Sequence, residues 1–237
     1  IHKANSELAR KTVREFNPSF VLSLSATPNK DSNIIDSIGG LELKKENMIK
    51  IPISLNATQE IDWKKTLSSS FKKLLELENA SKKYYSQYGK YIRPIMLIKA
   101  ESQRKGSTFN HVDEIKKFLI SKLGVNKEEI RSKLSSNDEI KDEDLLSELC
   151  PVKFIITKDA LKEGWDCPFA YVLTILAASK SKTSTTQIIG RVLRQPYAET
   201  TPYDELNKCY IYYNRINVND AVENVKLGLE QEGFDKE

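Results

Sequence analysis

The chain has 237 residues, enough to bury a substantial core in one large domain or two smaller ones. It is polar overall, with 30% charged residues, and no stretch approaches the roughly 18 apolar residues of a membrane span, which argues against an integral helical membrane protein. A net charge of +4 permits nucleic-acid contact without demanding it, and Cys150, Cys167 and Cys209 contain no C-x-x-C pair, so neither a zinc site nor a disulfide frame is suggested and a reducing, cytoplasmic setting is expected.

Leu8, Ala9, Thr12, Val13 and Phe16 share one stripe and predict a helix over residues 4–16. An apolar run follows and ends in Ser25-Ala26-Thr27-Pro28, after which residues 29–40 are loop-like. Residues 48–55 read as a strand that Pro52 confines to an edge or an irregular position. Trp63, Leu67, Phe71, Leu74 and Leu75 recur at helical spacing, with Asp62 as N-cap and Gly89 as the stop. This segment is expected to be one long amphipathic helix joining two lobes. Tyr84, Tyr85 and Tyr88 extend its apolar side and read as core or interface residues. The lysine doublets, such as Lys72–Lys73 and Lys82–Lys83, read as solvated helix faces.

From Tyr91 onward strand and helix patterns alternate. A strand over 91–100 precedes a helix stripe of Val112, Ile115, Phe118, Leu119 and Leu123. Residues 129–135 form a weak strand, and residues 138–149 an acidic helix. Apolar strands follow at 154–156 and 171–176, then a helix over 187–193, a strand over 208–214 and a closing helix over 219–231. Strands separated by helices imply a parallel sheet with helices on both faces.

The turn between the two apolar strands holds Thr157, Asp159, Glu163, Gly164, Trp165 and Asp166, a set hard to explain as packing. Ligands of open α/β sheets bind beyond strand ends, so this turn is a candidate site. Further along, "QIIGRVLRQP" places Arg191 and Arg194 three apart on a predicted helix, projecting from nearly one face. Guanidinium groups suit phosphate oxygens, and Gly190, immediately before Arg191, is of the kind that often marks a close backbone approach.

Taken in order, these segments resemble the superfamily 2 helicase motor. Ser25, Ala26 and Thr27 match its Ser-Ala-Thr motif III. Thr157, Gly164 and Asp166 match the T-x-x-x-x-x-G-x-D form of motif V, and Gln187, Gly190, Arg191 and Arg194 the Q-x-x-G-R-x-x-R form of motif VI. "LKEGWDCP" with the following "QIIGRVLRQP" is more narrowly similar to the Res subunit of type III restriction enzymes, as are "LELKKENMIKIPI" and "AVENVKLGLEQEGF".

The resemblance implies an α/β fold: a RecA-like parallel sheet with flanking helices as the second helicase domain, preceded by the tail of the first. Residues 1–57 would close the first domain, 58–90 connect, 91–218 form the second domain, and 219–237 lead onward. It implies ATP and Mg²⁺ as cofactors, double-stranded DNA as substrate and the methyltransferase (Mod) subunit as partner. Asp166 would accept from the ribose hydroxyls, with Gly164 and Gly190 allowing close approach. Arg191 and Arg194 would stabilise charge on the γ-phosphate, with Gln187 beside them. Thr157 would lie near the nucleic acid, and Ser25 and Thr27 would couple the domains. Ile1-His2 resembles the end of the family's Asp-Glu-x-His motif, and His2 would bridge toward Gln187. No G-x-x-x-x-G-K-[ST] occurs in the sequence, so the chain is expected not to hydrolyse ATP alone. Glu163 departs from the Arg often found before that Gly, and Trp165 reads as a packing residue. A helicase outside restriction and an inactive nucleic-acid-binding module are the alternative functions.

Overall fold

The computed structural model describes residues 7–23, 33–101, 112–134, 137–158, 161, 165–176 and 188–231. Helices α1 (Glu7–Glu15) and α2 (Gly40–Lys45) precede β1 (Ile53–Thr58), α3 (Trp63–Tyr88), β2 (Ile95–Lys99) and α4 (Val112–Leu123). Then come β3 (Ile130–Lys133), β4 (Phe154–Thr157), β5 (Ala170–Ile175), helical residues 188–192 (α5), β6 (Cys209–Asn214) and α6 (Val218–Gln231). Among the described residues no helix is long and apolar enough to cross a membrane.

The six strands form one sheet in the order β1-β6-β5-β2-β4-β3, and every pairing is parallel. This is the α/β class expected, a parallel sheet with flanking helices. Every residue of β2, β4, β5 and β6 is buried, which explains their near-continuous Ile, Leu, Val and Tyr content. The edge strands β1 and β3 are only partly buried.

Helix α3 starts where the Asp62 side chain accepts from Lys64 N (3.1 Å) and stops at Gly89, whose φ of 67° favours a residue without Cβ. Its buried face, including Trp63, Leu67, Leu74 and Leu77, packs on β5, β6 and β2. Trp63 also meets the Phe118 ring edge-on at 5.4 Å. The helix therefore covers this sheet rather than standing free between two lobes. Tyr84 is in the core against Tyr203, while Tyr85 and Tyr88 are largely exposed.

Strand β1 pairs along its length with β6, so the expected domain boundary at residue 57 falls inside the sheet. The chain from Phe16 to Leu22 is exposed, including the apolar side chains of Phe16, Phe20, Val21 and Leu22.

The acidic helix expected over 138–149 is a series of turns. Asp138 Oδ1 accepts from Ile140 N, Asp144 Oδ1 from Leu146 N, and Ser147 Oγ from Leu149 N. Such short-range side-chain bonds offer the backbone an alternative to a helix and win here. Arg93, buried at the foot of β2, closes the segment by donating to the carbonyls of Leu145, Ser147 and Val152.

Candidate functional site

Chemistry converges where the chain enters β5. Arg194 and Asp166 form an ion pair between Nη1 and Oδ2, and Arg191 Nη1 donates to the Trp165 carbonyl. Two segments singled out from sequence thus meet through adjacent residues, Trp165 and Asp166, each facing one arginine. Both members of the ion pair remain about half exposed, 56% for Arg194 and 47% for Asp166, so the pair is open to solvent and to a ligand.

The arginines reach this place by different means. Ile188, Ile189 and Val192 are buried and hold α5 on the core, leaving Arg191 half-buried beside them. Arg194 is not on the helix. Helical backbone ends at 192, and Arg194 forms an antiparallel bridge with Ile49. Lys50 N donates to Leu193 O, and Gln195 N to Met48 O at 2.9 Å, so residues 48–50 draw the chain into extended form. The expected single helical face carrying both arginines is replaced by a helix end and a strand-like bridge.

Beneath the pair lies Lys50, fully buried. Its Nζ donates to the carbonyls of Pro168 (2.8 Å), Ala170 (2.9 Å) and Arg194 (2.6 Å) and stands 4.3 Å from the centre of the Tyr171 ring. Burial pulls its pKa from 10.5 down to about 8, an effect only partly offset by Cys209, Cys167 and Asp166. Burial likewise pushes Cys167 up to about 11 and Cys209 up to about 12, so these thiols behave as inert core groups. Sequence reasoning missed Lys50; the available signal was one lysine inside the apolar run "MIKIPI".

Thr157 lies elsewhere. It ends β4, fully buried, in register with Lys99 at the carboxyl end of β2. Ala170 pairs with Ile95 at the other end of β2. Those ends are about 13 Å apart at ~3.3 Å per residue, and Asp166 lies beyond the nearer one. The cause is topological. A connection between parallel strands must return along the sheet, so a turn that begins at one end finishes at the other. Thr157 and Asp166, expected on one edge, therefore belong to opposite ends.

Trp165 is partly buried against the core, and Gly190, also half-buried, accepts from Leu193 N through its carbonyl (3.3 Å). His2, Ser25, Ala26, Thr27, Gly164 and Gln187 lie outside the described residues, as do Asp159, Glu163 and His111. Among the described residues no group of three or more His, Cys, Asp or Glu could hold a metal ion.

No protein-family model matches the chain. Over 64 residues, 27% of the chain, it is 42% identical to the Res subunit of the type III restriction-modification enzyme EcoPI of Escherichia phage P1. It is equally similar, over the same length, to the Res subunit of EcoP15I of Escherichia coli. A solved structure, the ATP-dependent Type ISP restriction-modification enzyme LlaBIII bound to DNA, overlays on 82% of this chain and 15% of its own, with a TM-score of 0.47 and 13% identity. The chain thus carries a segment similar to type III Res subunits, and the match spans about 7% of the length of each of those relatives.

Proposed function

We propose that this chain supplies part of an ATP-driven DNA translocase motor of the superfamily 2 helicase kind, within the Res subunit of a type III restriction enzyme. The observation that carries the reading is the Arg194–Asp166 ion pair, with Arg191 held on the neighbouring Trp165 carbonyl. Residues of the motif V and motif VI patterns meet there at the surface of an all-parallel sheet.

The donor set fits a nucleotide. Two guanidinium groups offer paired N–H donors for phosphate oxygens, and one carboxylate offers acceptors for ribose hydroxyls. A solvent-exposed ion pair contributes only about 0–1 kcal/mol, so exchange of partners is cheap. Arg194 would leave Asp166 for the γ-phosphate, stabilising charge that grows in the transition state, and Asp166 would turn to the ribose. ATP supplies the group transferred to water. Gly164 and Gly190 would let the backbone approach the nucleotide, Gln187 would stand beside the arginines, and His2 would bridge toward it. Ser25, Ala26 and Thr27 would couple the domains. Thr157, at the other end of the sheet, would lie toward the DNA strand. Mg²⁺ would come bound to the nucleotide, with its protein ligands mostly outside this chain. Double-stranded DNA and the Mod methyltransferase subunit are the proposed partners.

The test is phosphate release from ATP by the longer protein that contains this chain, with and without duplex DNA, compared with its Arg194→Ala variant. DNA-stimulated turnover that collapses in the variant supports the motor. Stimulation by RNA instead of duplex DNA favours a helicase outside restriction. DNA binding without turnover favours an inactive binding module, and turnover indifferent to Arg194 removes the site assignment.

A further inference from the structure

We propose that Lys50 is a positioning residue for the Asp166–Arg194 pair, its ammonium joining three backbone carbonyls from two separate segments and so setting where Arg194 stands relative to Asp166. The functional consequence rests on the nucleotide reading above; the structural one does not.

An ammonium has three N–H donors, and all three are used: Pro168 O, Ala170 O and Arg194 O. The first two acceptors follow Asp166 by two and four residues, and the third belongs to Arg194 itself. A fully buried lysine is costly unless its charge is satisfied, and packing alone would be served as well by methionine. The Tyr171 ring adds a cation–π contact. Lys50 also donates its backbone N–H to Leu193 O, so side chain and main chain fix the same stretch.

Protonation gives the arrangement a signature. A neutral amine keeps only two donors, so one carbonyl bond is lost as the pH rises through about 8. The groups around Lys50 leave that window clear: Cys167 and Cys209 are pushed to about 11 and about 12, and Tyr171 well above its ordinary value. The charged side chain acting on Lys50 is the Asp166 carboxylate, and Arg194 meets it through its backbone carbonyl. Because the folded pKa lies below the ordinary 10.5, the unfolded chain holds more protons above pH 8, and this ionisation adds global stability as pH rises.

Hydrogen exchange on the 237-residue chain tests the geometry. Lys50→Met should speed exchange roughly 10-fold or more in peptides covering 165–171 and 191–196 while α3 and β4 keep their protection. Unchanged exchange at both segments would overturn the proposal. If the variant folds poorly, the wild-type chain carries the test. Between about pH 7 and about pH 9.5, after correction for intrinsic rates, the same two segments should lose protection selectively, and retained protection overturns the idea. In the longer protein, Lys50→Met should lower ATP turnover about 10-fold or more in the wild-type background and little further beside Arg194→Ala. Additive losses would mean that Lys50 does not act through Arg194. A longer protein without ATP turnover defeats the nucleotide reading and leaves the exchange result to decide the positioning role.

Discussion

Arg194 Nη1 donates to Asp166 Oδ2 across 28 residues of sequence, at a point where both side chains remain about half exposed. The pair is a surface contact between two segments already held in place by Lys50 beneath them. Its own contribution to folding should be at most about 1 kcal/mol. Arg194→Ala and Asp166→Ala are each expected to leave the urea unfolding midpoint of the chain nearly unchanged. A loss above about 2 kcal/mol from either would make the pair a structural bolt rather than a site.

The kinetics of the two variants should differ in the longer protein. A contact made chiefly in the transition state lowers kcat, so Arg194→Ala should cost about 10³-fold in turnover while weakening ATP binding little. The ribose contact proposed for Asp166 would be made in ground and transition states alike, so Asp166→Ala should mainly raise KM for ATP. Steady-state rates at saturating duplex DNA separate the cases. If Arg194→Ala raises only KM, the arginine binds nucleotide and the charge-stabilising role passes to Arg191.

Arg93 makes a different kind of anchor. It is buried and donates to Val152 O (2.9 Å), Ser147 O (2.7 Å) and Leu145 O (2.7 Å), and to the Tyr91 hydroxyl (3.0 Å). Removing it strands carbonyls that remain out of water, so Arg93→Ala should destabilise the chain by about 2–4 kcal/mol. Urea titration of the variant checks this. A change under about 0.5 kcal/mol would show that water or a rearranged turn replaces the guanidinium.

Acid should loosen the same turn region through Glu139. Burial alone would raise its pKa, but bonds from Ser132 and Lys116 outweigh that and hold it below the ordinary 4.5. A depressed folded pKa means stability that is present above the ordinary value and lost as pH falls through the folded one. The chain should therefore lose stability below about pH 4.5, and Glu139→Gln should flatten that part of the profile. An identical acid limb in wild type and variant, followed by circular dichroism, would assign the loss to other carboxylates.

Much of the fold was legible because its causes are local. Unbroken apolar runs announced β4 and β5, and helical spacing with Asp62 and Gly89 bounded α3. The acidic segment misled because Asp138, Asp144 and Ser147 suit a solvated helix and a chain of turns equally well; their bonds to neighbouring N–H groups decided the matter. At the site, residue types were legible and placement was not. Asp166, Arg191 and Arg194 stood out by chemistry and spacing, yet the amino-end location of Asp166 follows from the return path between parallel strands.

The sequence by itself determined the alternation of elements, the parallel sheet that alternation requires, and the arginines and carboxylate of the candidate site. Tertiary structure alone decided that β1 joins this sheet beside β6, that Arg194 leaves the helix for a bridge to Ile49, and that Lys50 joins the site from below. The physical reason lies in sequence separation. The Lys50 bonds span 118, 120 and 144 residues, and contacts of that range leave no period, cap or spacing in the local pattern.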